Sequence, residues 1–144
     1  MKLTMCLAVV FATVCIGVGF STPGFSQTHV IQIQRDTIIA FCAPAPKSAN
    51  ADADWNETLG DFQFYAERVK QPLNKLNIDF KEVYVRSFRI HISGTDIVFR
   101  PKSNGIGYYL IAPGKKPRIE YGVMTDSDLL VVAKRYFGLP VKHE

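Results

Sequence analysis

Cysteine is the first scarcity. The 144-residue chain holds three, and two of them, Cys6 and Cys15, lie in the apolar N-terminal stretch. A chain that loses this stretch keeps Cys42 alone and can form no internal disulfide, so its fold must rest on its core. No C-x-x-C pair is present, which removes the dithiol of disulfide exchange. Histidine is also sparse: His29, His91 and His143 stand isolated, and none has a second ligand at helical spacing. Zinc-site spacing is therefore missing, and no metal is expected. G-x-S-x-G, a phosphate-binding loop and a dinucleotide fingerprint are absent too. "KSNGIG" has the glycines of a phosphate loop without its strand–turn–helix context. No cofactor is expected. Internal repeats and low-complexity segments are lacking as well.

What is present begins with "MKLTMCLAVVFATVCIGVGFSTPGFSQ". One basic residue, Lys2, precedes an apolar run from Leu3 to about Phe20, then Pro23 and Gly24 break it, and small residues flank Phe25. This reads as a secretory signal peptide over residues 1–26, cleaved near Ser26/Gln27. An apolar run of this length could also span a bilayer, so membrane attachment is expected only if residues 1–26 are retained. Residues 27–144 form one domain, secreted or periplasmic. Without Lys2 the chain carries 16 basic and 13 acidic residues. That mild balance is not the footprint of a nucleic-acid binder.

Downstream, "HVIQIQ" and "TIIAFC" are β-branched runs separated by Arg35-Asp36. "APAPKSANADAD" is a loop, after which Trp55, Leu59, Phe62, Ala66, Val69, Leu73 and Leu76 recur at helical spacing. Asp54 with Glu57 predicts a capping box, and Pro72 predicts a kink or a restart near Gln71. The acids Asp52, Asp54, Glu57 and Asp61 read as capping and a solvated face. "FKEVYV" and "SFRIHISGTDIVFR" follow as strands, with a turn at Ser93-Gly94. A second hairpin, "GYYLIAPGKKPRIEYGV", turns at Pro113-Gly114, with Lys115, Lys116 and Arg118 solvating its tip. Thr125 and Asp128 cap a closing helix that Gly138 ends. The order predicts an α/β sandwich with a mixed central sheet, flanking helices and a C-terminal β-hairpin plus helix.

Over residues 37–138 this order resembles the thioredoxin-like fold. "GYYLIAPGKKPRIEYGVMTDSDLLVVAKRYF" is similar to that family's last hairpin and helix, with Gly122 at the hairpin end and Leu129 and Leu130 on the helix. "TIIAF", a Pro-containing loop and a helix match its strand, active loop and first helix. The dithiol is not carried over. With Cys42 on the first cysteine position, Ala45 takes the second; on the longer spacing Pro46 and Ala49 fall there. The family's proline before the last hairpin is replaced by Ile106-Gly107. The chain thus looks similar to small secreted thioredoxin-like proteins that have lost the dithiol.

Two functions follow as expectations. The first is a redox-inactive binding or accessory module for a protein or small ligand. Its contact surface is placed at residues 43–53 and 101–107, with Pro44, Pro46, Lys47, Gly105, Tyr108 and Tyr109 as contact residues. The second is a monothiol oxidoreductase or peroxide-reactive protein using Cys42. A reactive thiol needs a nearby cation or helix N-terminus, and only Lys47 offers charge of the right sign. Tyrosines on the last hairpin near Arg118 suit an interface.

Overall fold

The computed structural model describes residues 29–43, 52–102 and 105–140. Its elements in chain order are β1 (His29–Ile33), β2 (Thr37–Cys42), α1 (Asp52–Lys75), β3 (Asp79–Val83), β4 (Phe88–Ile92), β5 (Thr95–Phe99), β6 (Ile106–Ile111), β7 (Arg118–Tyr121) and α2 (Asp126–Phe137). The architecture is mixed α/β, but the strands divide into two sheets. One has the order β3-β2-β6-β7, the other β1-β4-β5. The expected mixed sheet and the C-terminal hairpin plus helix are present, but a second sheet, not a helix, covers the other face. Both helices pack on one face of the four-stranded sheet, and the three-stranded sheet lies against the other.

The division is made at two corners. Arg35 and Asp36 carry the chain from β1 in one sheet to β2 in the other, and residues 84–87 carry it from β3 to β4. The first corner is clasped to the end of α1. The Asp79 amide donates to the Asp36 carbonyl at 2.9 Å, and Arg35 binds both the Asn77 side chain, at 2.5 Å, and the Asp79 carboxylate. Thr37, fully buried, donates its hydroxyl to the Arg35 carbonyl at 2.8 Å.

β2 and β6 run antiparallel in the middle of their sheet and are buried at all six positions each. Alternation along them therefore feeds two cores. Ile38, Ala40, Cys42, Tyr108 and Leu110 face α1 and α2, where Phe62, Val69, Leu73, Leu129 and Ala133 meet them. Ile39, Phe41, Tyr109 and Ile111 face the second sheet, against Ile31, Phe88, Ile90 and Phe99. Phe99 is the hub there, with ring centroids 4.6 Å from Tyr109, 5.0 Å from Phe88 and 5.1 Å from Phe41. Burying one such ring contributes about 1.5–3 kcal/mol.

The apolar stripe of α1 faces the core, with Phe62, Ala66, Val69 and Leu73 buried. Its N-terminus differs from the expectation: the helix begins at Asp52, so Asp54 is helical rather than a cap, and its carbonyl accepts the Thr58 hydroxyl at 2.7 Å. Nor does Pro72 restart the helix, which runs on to Lys75; lying in the closing turn, proline removes a single donor there. The stop is a Schellman arrangement. Asn77 takes a left-handed conformation (φ 59°), its amide donates to Asn74 and the Ile78 amide to Leu73, each at 3.0 Å. α2 has the expected ends, with Thr125 accepting from the Asp128 amide at 3.2 Å and Gly138 left-handed.

Candidate functional site: a groove at the carboxyl end of the central strand

β2 ends at Cys42, and Ala43 continues the ladder by donating to the Gly105 carbonyl at 2.9 Å. Beyond this point the first turn of α1 and the start of β6 enclose an open groove of about 400 Å³. Its walls are Trp55 and Thr58 from α1, Lys102, Gly105 and Ile106 before and in β6, and Tyr121, Gly122 and Val123 at the end of β7. The crevice beyond the carboxyl ends of strands is where α/β sheets commonly take ligands. The surface is mostly apolar and aromatic, with one cation among the described residues: the Lys102 ammonium stands 5.1 Å from the centre of the Tyr121 ring. Such a site can hold a flat apolar group and neutralise an acidic one beside it.

Two glycines permit this shape. A Cβ on Gly105 would meet the Lys102 carbonyl oxygen at 2.8 Å, and one on Gly107 would meet the Glu120 carbonyl oxygen at 2.2 Å. Bare backbone at both positions lets the Lys102 turn and the edge strand β7 close against β6. The Gly105 amide donates to Lys102 at 2.8 Å and the Gly122 amide to Ile106 at 2.8 Å, fixing both walls.

Cys42 is close in sequence to this groove but does not line it. The residue is 3% exposed, packed in the helix-side core, and its thiol is 3.5 Å from the Ala43 carbonyl. Burial pushes the thiol up to about 11, against an ordinary value near 9. Among the described residues, the helix-side core around Cys42 supplies no cation of the kind a working thiolate requires.

The expected contact residues separate. Gly105 lines the groove. Tyr108 and Tyr109 do not: β6 is covered on both faces, so alternation buries Tyr108 under α1 and Tyr109 under the second sheet. Burial raises both phenols. Pro44, Pro46 and Lys47 lie outside the described residues, as does the proposed cleavage segment. Lys115 and Lys116 are exposed at the hairpin tip as expected, and the Lys115 ammonium also donates to the Tyr136 carbonyl, while the Tyr136 hydroxyl donates to the Lys116 carbonyl at 3.0 Å. The negative end of α2 attracts that cation. His91 joins Asp96 at 2.6 Å on the outer face of the second sheet. Among the described residues, no three His, Cys, Asp or Glu side chains gather as a metal would need, and no helix is long and apolar enough to cross a membrane.

Trp55, Thr58 and Val123 escaped the sequence reading as site residues, whereas Tyr121 is one of the hairpin tyrosines expected to suit an interface and does line the groove. A signal existed for Trp55, the single tryptophan, which opens the apolar stripe on the turn nearest the end of "TIIAFC". No family model matches the chain, and neither a curated protein nor a solved structure matches it.

Proposed function

We propose that the protein is a binding or accessory module of thioredoxin-like topology, exported to the periplasm or the cell exterior, that performs no thiol–disulfide exchange. It holds an apolar or aromatic group bearing a negative charge in the groove between Trp55 and Tyr121. The observation that carries this reading is the separation of thiol from groove: Cys42 is buried in the core, and the accessible cleft beside it is lined by Trp55, Ile106, Tyr121 and Val123 with Lys102 at its wall. The topology supports it. β2-α1-β3 is a strand–helix–parallel-strand unit, and β6-β7-α2 is a hairpin and helix whose first strand runs antiparallel beside β2. The monothiol alternative would need a thiol held low, whereas burial holds this one high.

The test uses 1-anilinonaphthalene-8-sulfonate, an aromatic anion, with Trp55 as a built-in reporter. Saturable quenching of Trp55, weakened about tenfold or more by Lys102→Glu and lost in Tyr121→Ala, is the expected result. Binding that ignores both substitutions would overturn the assignment of the groove.

A further inference from the structure

The second sheet leaves β5 at its edge, paired only with β4 among the described residues. Edge strands usually carry a guard against pairing, such as lysine, proline or a bulge. The edges of the other sheet have one: β3 contains Lys81 and the paired Asp79, and β7 is preceded by Pro117, with Arg118 already bound to Glu120. β5, "TDIVF", contains no basic residue and no proline, and Val98 on it is 51% exposed.

The direction of its free hydrogen-bonding groups follows from the turn. Ser93 and Gly94 both have positive φ, 49° and 77°, which is a two-residue type I′ loop, with Ile92 opposite Thr95. That loop turns the Thr95 amide toward β4. Alternation then directs Ile97 and Phe99 toward β4, and the backbone groups of Asp96, Val98 and Arg100 outward. Pro101 falls on the inward parity, so the missing proline donor costs the free edge nothing. Arg100, exposed, makes no ion pair among the described residues.

We propose that two copies of this chain pair antiparallel through β5, with the two-fold axis at Val98. In that register Val98 faces its counterpart and Ile97 faces Phe99, while Asp96 of each copy, whose carboxylate also lies 2.6 Å from His91 and 3.7 Å from Arg89 on its own β4, faces Arg100 of the other. The outward backbone groups of residues 96, 98 and 100 meet in three hydrogen-bonded pairs, which supply six bonds. The two Asp–Arg pairs stand about 5.5 Å apart at Cβ, within ion-pair reach. The pairing covers the exposed valine and converts two three-stranded sheets into one of six strands. Charge complementarity sets the register, since moving it by two residues would leave both arginines without an acid opposite. A strand pair alone buries less than the roughly 1,200 Å² of a standard interface, so the dimer is concentration-dependent.

Sedimentation equilibrium on the full chain from about 1 μM to 1 mM reads this directly. A monomer–dimer equilibrium is expected. Arg100→Asp should weaken dimerisation about tenfold or more by placing like charges opposite, and the double exchange Asp96→Arg with Arg100→Asp should restore it. Val98→Pro removes an outward amide without touching the β4–β5 ladder, and should abolish the dimer while the circular dichroism stays native. A chain that is monomeric throughout, a dimer indifferent to Val98→Pro and Arg100→Asp, or a double exchange that fails to rescue a folded protein would each overturn the proposal.

Discussion

Replacing Gly107 by alanine tests how tightly the groove wall is built. The new methyl carbon would lie 2.2 Å from the Glu120 carbonyl oxygen and 3.0 Å from both the Tyr121 Cα and the Phe41 ring. Two of the three obstacles are backbone, and the third is a fully buried ring, so no side chain can simply rotate away. β7 must retreat by roughly 1 Å to recover an ordinary contact distance. Overpacking of this kind costs about 1–3 kcal/mol. The displaced strand also weakens ladder contacts to β6, including the Gly122–Ile106 hydrogen bond, at about 1 kcal/mol each. Together these predict a loss of about 2–4 kcal/mol. Gly60 is the matched control: it is exposed in the middle of α1 with nothing within 4 Å of a built Cβ. Alanine there should stabilise by about 0.5–1 kcal/mol through helix propensity. Urea unfolding followed by circular dichroism measures both, and with a slope of about 2 kcal/mol/M the Gly107→Ala midpoint should fall by about 1–2 M. A Gly107→Ala protein within about 0.5 kcal/mol of the parent would refute the close approach of β7 to β6.

Three further outcomes are expected from the same assay. Asp79→Asn should cost up to about 1 kcal/mol at pH 7, since its pair with Arg35 is partly exposed. The hydrogen bond from Arg35 holds the Asp79 carboxyl below its ordinary value, so this stability is present above about pH 4 and is lost as pH falls through the lowered folded-state value; the variant and parent should converge in acid. Phe41→Ala empties a ring site between Phe99 and Tyr121 and should cost about 3–5 kcal/mol, whereas a second sheet that only loosely abutted the first would give a much smaller loss. Thr125→Ala removes the α2 cap and should cost about 1 kcal/mol, with Thr125→Ser recovering most of it.

The features legible in the sequence are those set within one or two turns of chain. "TIIAFC" is β2 to the residue, the 3.6-residue stripe is α1, and Thr125, Asp128 and Gly138 end α2 where their chemistry places them. The division into two sheets was not legible. Period-two alternation in "FRIHI" tells which side chains are buried, but it does not say which sheet buries them; that depends on the corner at Arg35-Asp36 and on Phe99 meeting Phe41 and Tyr109 across it. Tyr108 and Tyr109 are expected as contact residues because adjacent tyrosines on a strand point to opposite faces. A central strand between two cores buries both. The groove was half visible. Gly105 was chosen for its segment, whereas its Tyr121 and Val123 wall exists only because Gly107 lets β7 approach, a pairing of residues 14 apart in sequence.

On the function proposed above, Cys42 is a core residue and not a working thiol. The rate of iodoacetamide alkylation at Cys42, located by peptide mass spectrometry and compared with the urea-unfolded chain at the same pH, tests it most directly. A thiol at about 11 has a thiolate fraction near neutral pH about 100-fold below that of an ordinary one near 9, before occlusion is counted. Native labelling at least a hundredfold slower than in the unfolded chain, and still rising beyond pH 9, is the expected result. Labelling as fast as the unfolded chain, levelling off near neutral pH, would contradict the account.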